Sequence, residues 1–232
     1  MSQISPTPET EKPFARRAWP DFVALGIGLA VAYGLRWETR DLVWSLWLCS
    51  LSVGFATLFA GIAGMLRSEG RMAVMPRGAL LGGSLFYVVF FSVHFGAFHA
   101  GHSVFLQQFF PLEGVPEDGF GEAFMNPLLL WAHAIRDLMP AYGVFLIPAL
   151  ISEREQLRDA FGSARGPRGV GGIMFRPYAN VIRMHLLIFF FAFAEAISLD
   201  SFLVYAVVYT VYFFPWRYLK NLRRQTDGMD RD

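Results

Sequence analysis

The sequence holds one cysteine in 232 residues. Cys49 therefore has no partner, which excludes an intrachain disulfide and a thiolate metal cluster. Charge is scarce as well: 17% of residues are Asp, Glu, Lys or Arg, and the formal net charge is +1. The net charge itself says little about acidic partners; the arginines of the loop 152–177 can bind nucleic acid or anionic lipid headgroups, but a positive-inside retention loop is the favoured reading and no nucleic-acid partner is expected. No Walker-type loop, dinucleotide fingerprint, GxSxG elbow or HExxH sequence occurs, so the usual signals of several large enzyme classes are missing. No internal repeat is visible, and the sequence assigns no enzyme class.

What the chain does have is apolar surface, with 54% hydrophobic and 16% aromatic residues. Its charges cluster between long apolar stretches, the pattern of an all-α, polytopic membrane protein. Six stretches approach the ~20 residues that a helix needs to cross ~30 Å of hydrocarbon. They run over residues 19–35, 42–66, 78–109, 127–151, 178–197 and 200–216, the fourth being interrupted by Pro140 and Pro148. A polar tail (1–18), a loop (152–177) and a second tail (217–232) complete the chain. The fifth and sixth stretches come from one tract cut by "SLDS", where Ser198 or Asp200 can cap the sixth helix and set a tight hairpin.

Basic residues fix the expected orientation. Lys12, Arg16 and Arg17 precede the first stretch, and Arg67, Arg71 and Arg77 lie between the second and third. Arg154 through Arg183 and then Arg217, Lys220, Arg223 and Arg224 follow the same alternation. The positive-inside rule puts these segments and both termini in the cytoplasm. The expected location is the cell membrane, multi-pass, and the inner membrane if the source has two. "AVA" at 30–32 also offers a signal-peptidase site with a mature start near Tyr33, but Arg36 follows too closely to favour it.

Small residues recur at four-residue spacing around Cys49: Ser50 and Gly54, Thr57 and Gly61, Ala60 and Gly64. Gly26, Ala30 and Gly34 repeat the device in the first stretch, so both read as close-packed scaffold. Besides the lipid bilayer, a second copy or a partner membrane protein can use these faces. The loop 152–177 divides into a charged, helix-compatible half and a Gly/Arg-rich half. An acidic outer loop with a buried-looking "GFGEAF" can cap a complex.

The stretches "FFSVHFGAFHAGH" (90–102) and "MFRPYANVIRMHL" (174–186) resemble a family of bacterial and archaeal integral membrane proteins catalogued as a domain of unknown function. The resemblance implies a six-helix membrane fold and carries no established activity or site. The family's pattern often has an arginine where Asn180 stands, with Arg183 the nearest replacement.

Titratable side chains inside apolar stretches mark a polar interior, because lipid exposure costs each of them several kcal/mol. His94, His99 and His102 lie on the third stretch. Helical spacing puts His99 and His102 on one face and turns His94 elsewhere. On the fourth, His133, Arg136, Asp137 and Pro140 fall at relative positions 0, 3, 4 and 7, one continuous face, although Arg136 and Asp137, as sequence neighbours, are not expected to face each other. The fifth adds His185 and Glu195, and the sixth adds Tyr205, Tyr209 and Tyr212. The helical rise predicts an outer layer of His99, His133 and Glu195, and a central layer of His94, Arg136, Asp137 and His185.

Three readings follow. Two imidazoles and a carboxylate suit iron(II) or another transition metal, and paired histidines suit a haem, with His99, His133 and Glu195 as first candidates and His94, His102 and His185 as secondary ones. The Arg136/Asp137 pair and the interrupted fourth stretch suit a small proton-coupled or solute transporter. A structural polar network in a membrane assembly or interaction factor is the third reading.

Overall fold

The computed structural model describes residues 14–67 and 77–163, with Ile182, Leu186 and Phe190 as single helical positions. The expected fifth and sixth helices, with His185, Glu195, Tyr205, Tyr209 and Tyr212, lie outside the described residues, as do residues 1–13 and the tail 217–232. Among the described residues every regular element is helical.

Helix α1 spans Phe14–Gly34 and α2 spans Thr39–Leu66. The turn between them is tied by Asp41, whose Oδ2 accepts the Glu38 amide at 2.8 Å and so fills one of the orphan donors at the start of α2. Helix α3 spans Arg77–Phe109. The next helical run is broken into α4 (Pro127–His133), a π turn (Ala134–Leu138), α5 (Met139–Tyr142), a 3₁₀ turn (Gly143–Phe145) and α6 (Leu146–Ser152). Helix α7 (Arg154–Ser163) is the charged half of the loop. Three helical runs, Thr39–Leu66, Leu81–Phe109 and Pro127–Ser152, are long and apolar enough to cross a membrane, and Trp19–Gly34 is apolar but shorter.

Helix α2 is the centre of the bundle: 67% of its most apolar window is buried, against 28% for α3. The two run antiparallel. Phe55 meets the Phe91 ring edge at 5.7 Å, while at the other end the Trp44 indole N–H donates to the Phe110 carbonyl at 2.9 Å. Gly54 leaves room for the Phe95 ring, and a Cβ there would enter that ring. Gly64 likewise admits the Phe161 backbone of α7. The small residues of α2 therefore do bring neighbours close, but those of α1 do not: among the described residues nothing lies within 4 Å of a Cβ built on Gly26 or Gly34.

The two prolines of the fourth stretch explain its breaks. Proline has no N–H for the carbonyl four residues back, and its ring crowds that carbonyl. Pro140 thus disturbs the ladder at Arg136, inside the π turn, where the Met139 amide reaches the Ala134 carbonyl five residues back instead. Pro148 does the same at Val144, inside the 3₁₀ turn. The result is a bent run. Along α2 its contacts pass from Phe55, on the Trp131 ring at 5.3 Å, to Asp41, which accepts the Tyr142 hydroxyl at 2.8 Å. They then return through Cys49, whose thiol donates to the Phe145 carbonyl at 3.6 Å, to Thr57, bonded by Gln156 at 3.3 Å. Asp21 of α1, itself buried, and the partly exposed Arg154 form an ion pair at the end where α7 packs on α2.

Candidate functional site

The loop between α3 and α4 folds back onto the bundle. Gln107 donates to the carbonyls of Leu112 and Val115, each at 3.2 Å, and accepts the Leu112 amide at 3.0 Å. Ser103 accepts the Phe120 amide at 2.9 Å. Gly119 has φ +61°, and a Cβ there would lie 2.5 Å from the Ser103 carbonyl, so only glycine allows this approach. Phe120 is consequently fully buried, in edge contact with Trp44 at 5.8 Å and tilted on Trp47 at 5.6 Å. The "GFGEAF" segment thus closes over its own chain.

That fold-back delivers Glu122 to His133. The His133 Nε2–H donates to Glu122 Oε1 at 2.7 Å, and its ring stacks on Phe120 at 5.1 Å with a 16° interplanar angle. On the other side, Nδ1 lies 3.3 Å from Asp137 Oδ2 and 2.9 Å from Arg136 Nη2. Arg136 grips Asp137 through two donors, Nε to Oδ1 at 2.6 Å and Nη2 to Oδ2 at 2.9 Å. Burial divides the four groups. The side chains of His133 and Asp137 are 5% and 12% exposed, whereas Glu122 and Arg136 are 56% and 66% exposed. Two buried members are thus flanked by two exposed ones.

The cluster corrects the expectation that Arg136 and Asp137 point apart. The π turn lies over these two residues, and the long arginine side chain folds across it onto its neighbour's carboxylate. It also joins residues expected in two layers: Arg136 and Asp137 share hydrogen bonds with His133, whose ring stacks on Phe120 beside Trp44 and Trp47 in the first third of α2.

His99 belongs to a different environment. It is fully buried, donates from Nδ1 to the Phe95 carbonyl at 3.0 Å, and accepts from Ser50 Oγ at Nε2 at 3.2 Å. The Trp47 indole stands edge-on to it at 5.5 Å and bonds its carbonyl at 3.0 Å. The described ring contacts lead from His99 through Trp47 and Phe120 to His133. His94 does not pair with Asp137 as expected. It lies on the exposed side of α3, stacked on Phe90 at 5.4 Å, and lines one groove with His102. These two histidines, eight residues apart, share a stripe that periodicity alone had divided.

Among the described residues no group of three or more His, Cys, Asp and Glu side chains is arranged to hold a metal ion. Glu195 and His185 of the expected ligand sets lie outside them. Sequence reasoning missed Glu122 and Phe120. Their signal was a carboxylate between aromatic residues and glycines in an otherwise acidic loop.

Fold and cluster together define a helical protein with three apolar helical runs long enough to span a membrane and a histidine–carboxylate–guanidinium group at one end of the bundle. The chain belongs to DUF6498, a family of unknown function whose model matches residues 23–213. No curated protein matches the chain. No solved structure matches it either.

Proposed function

We propose that this chain is a six-span integral membrane protein of the cell membrane, with both termini cytoplasmic, that uses His133 as the proton-binding step of a small proton-coupled transporter. The observation that carries this reading is the double engagement of His133 between two carboxylates and one guanidinium. With a neutral imidazole, Glu122, Asp137 and Arg136 sum to one excess negative charge. A proton on His133 balances it.

The same proton changes the hydrogen bonding. Neutral Nδ1 accepts from Arg136 Nη2, but a protonated Nδ1 can only donate, and the nearby acceptor is Asp137 Oδ2. Arg136 must then release the ring. Protonation is thereby linked to a side chain on the π turn, and interrupted helices beside charged groups are a common way for transporters to move a site. The exposure of Glu122 and Arg136 supports their end of the cluster as the entrance. Phe120 and Trp47 stand inward of His133, so passage requires their displacement.

The metal reading has less support. Both nitrogens of His133 and both of His99 already have partners, and a metal at either ring must displace one of them.

The test is proton flux into dye-loaded proteoliposomes under an imposed potential. Wild type is expected to exceed protein-free vesicles and His133→Gln to fall to their level. A wild type as tight as empty vesicles overturns the reading, and stoichiometric metal in the purified protein would restore the alternative.

A further inference from the structure

Two members of the His133 cluster keep an unengaged atom. Arg136 gives Nε and one Nη2 hydrogen to Asp137 and the other Nη2 hydrogen to His133, so among the described residues Nη1 donates to nothing. Glu122 accepts from His133 at Oε1 alone, and its Oε2 has no donor among the same residues. Both side chains are exposed, although Arg136 belongs to the apolar run Pro127–Ser152. A guanidinium in such a run is costly unless water or an anion meets it.

The two groups flank one imidazole. The 2.7 Å bond to Glu122 Oε1 and the 2.9 Å bond from Arg136 Nη2 lie across a single ring, so oxygen and nitrogen are separated by no more than about 8 Å. Two hydrogen bonds of about 2.9 Å, with the ~3 Å between the charges of an α-amino acid, match that gap. Charge then selects among the molecules that fit. With a neutral imidazole the cluster has one excess negative charge, which a simple carboxylate on Arg136 would double. A simple ammonium on Glu122 would face the guanidinium with nothing to offer it. A zwitterion adds no net charge and satisfies both groups.

We propose that Arg136 and Glu122 bind a small zwitterion, its anionic oxygen on Arg136 Nη1 and its primary ammonium on Glu122 Oε2, with the α-amino acid backbone as the fitting chemistry. This names the solute of the proton-coupled transport read from His133 and rests on that reading. Glu122, Asp137 and Arg136 are the charged groups bonded to the ring. A proton on His133 turns Nδ1 to Asp137 and releases Arg136 Nη2, which with Nη1 presents the two parallel N–H groups that a carboxylate accepts best. Proton and solute therefore favour each other, by the same factor in either order.

Isothermal titration calorimetry of the full chain in phosphatidylcholine nanodiscs tests this with three probes of one skeleton: L-alanine, propionate and ethylamine. Alanine is expected to bind on the order of tenfold more tightly than either analogue, because each analogue lacks one charge-assisted bond. Its binding should take up protons, seen as a heat that varies with the ionisation enthalpy of the buffer. Glu122→Gln should bring alanine down to propionate, and Arg136→Gln should bring it down to ethylamine, a change of selectivity that a purely structural role does not produce. No heat with alanine, or equal affinity of wild type for alanine and either analogue, overturns the proposal. An ethanolamine phospholipid carries the same two charges, so the titration is repeated in phosphatidylethanolamine nanodiscs: unchanged alanine binding assigns the site to a free solute, and its loss assigns the site to the headgroup. Proton flux through a protein that binds no alanine would sink this inference alone, whereas alanine binding without proton uptake would keep the site and sink the reading of His133.

Discussion

Two hydrogen-bond sets compete for the Nδ1 of His133, one from Arg136 and one to Asp137. Nε2 is fixed on Glu122 in both. Replacing Glu122 with glutamine keeps the shape and removes one charge. A charge-assisted bond at a half-exposed site is worth about 1.5 kcal/mol, so Glu122→Gln is expected to slow proton flux on the order of tenfold with little change in Tm. His99 should behave in the opposite way. Its two bonds lie within the α2–α3 packing, and His99→Leu leaves the Ser50 hydroxyl and the Phe95 carbonyl without it. Unfolding in detergent should show a loss of about 1–3 kcal/mol, with flux per folded protein retained. Parallel loss of flux in the two variants would return both histidines to one shared site.

At the scale of elements, the prolines are the lever. Pro140→Ala supplies the missing N–H to the Arg136 carbonyl and favours an ordinary α turn where the π turn now stands. Thermal stability should rise, while flux falls because Arg136 no longer folds onto Asp137. Gly64→Ala tests the α2–α7 contact. Its Cβ enters the Phe161 backbone, so α7 must shift, at a cost of about 1–3 kcal/mol. Faster protease cleavage at Arg158 than in wild type is the expected readout.

Much of this was legible in the sequence. The apolar stretches gave the long helices, and the 0, 3, 4 spacing put His133, Arg136 and Asp137 on one face. Periodicity assumes an unbroken α-helix, however, so it could not show that Pro140 would widen the turn and let adjacent side chains pair. Nor does local spacing report a loop that doubles back, and Glu122 reaches His133 by that route alone.

At the scale of the whole molecule, one end of the bundle gathers the start of α1, the end of α2 and α7, held by Asp21 and Arg154. Both side chains are largely out of solvent, 2% and 25% exposed. Asp21→Ala should therefore destabilise by about 3 kcal/mol, whereas the double change Asp21→Leu with Arg154→Met should recover most of the loss. Thermal unfolding of the three proteins checks this. The opposite end carries the Phe120 ring contacts and the His133 group. The most direct measurement is solid-state ¹⁵N NMR of histidine-labelled protein in bilayers, with His133→Gln used to assign the His133 signals. On acidifying the sample, the His133 ring should change from one protonated nitrogen to two while the Arg136 side-chain signals shift with it. A His133 ring that keeps one protonation state, or an Arg136 that does not respond when it changes, would contradict the account.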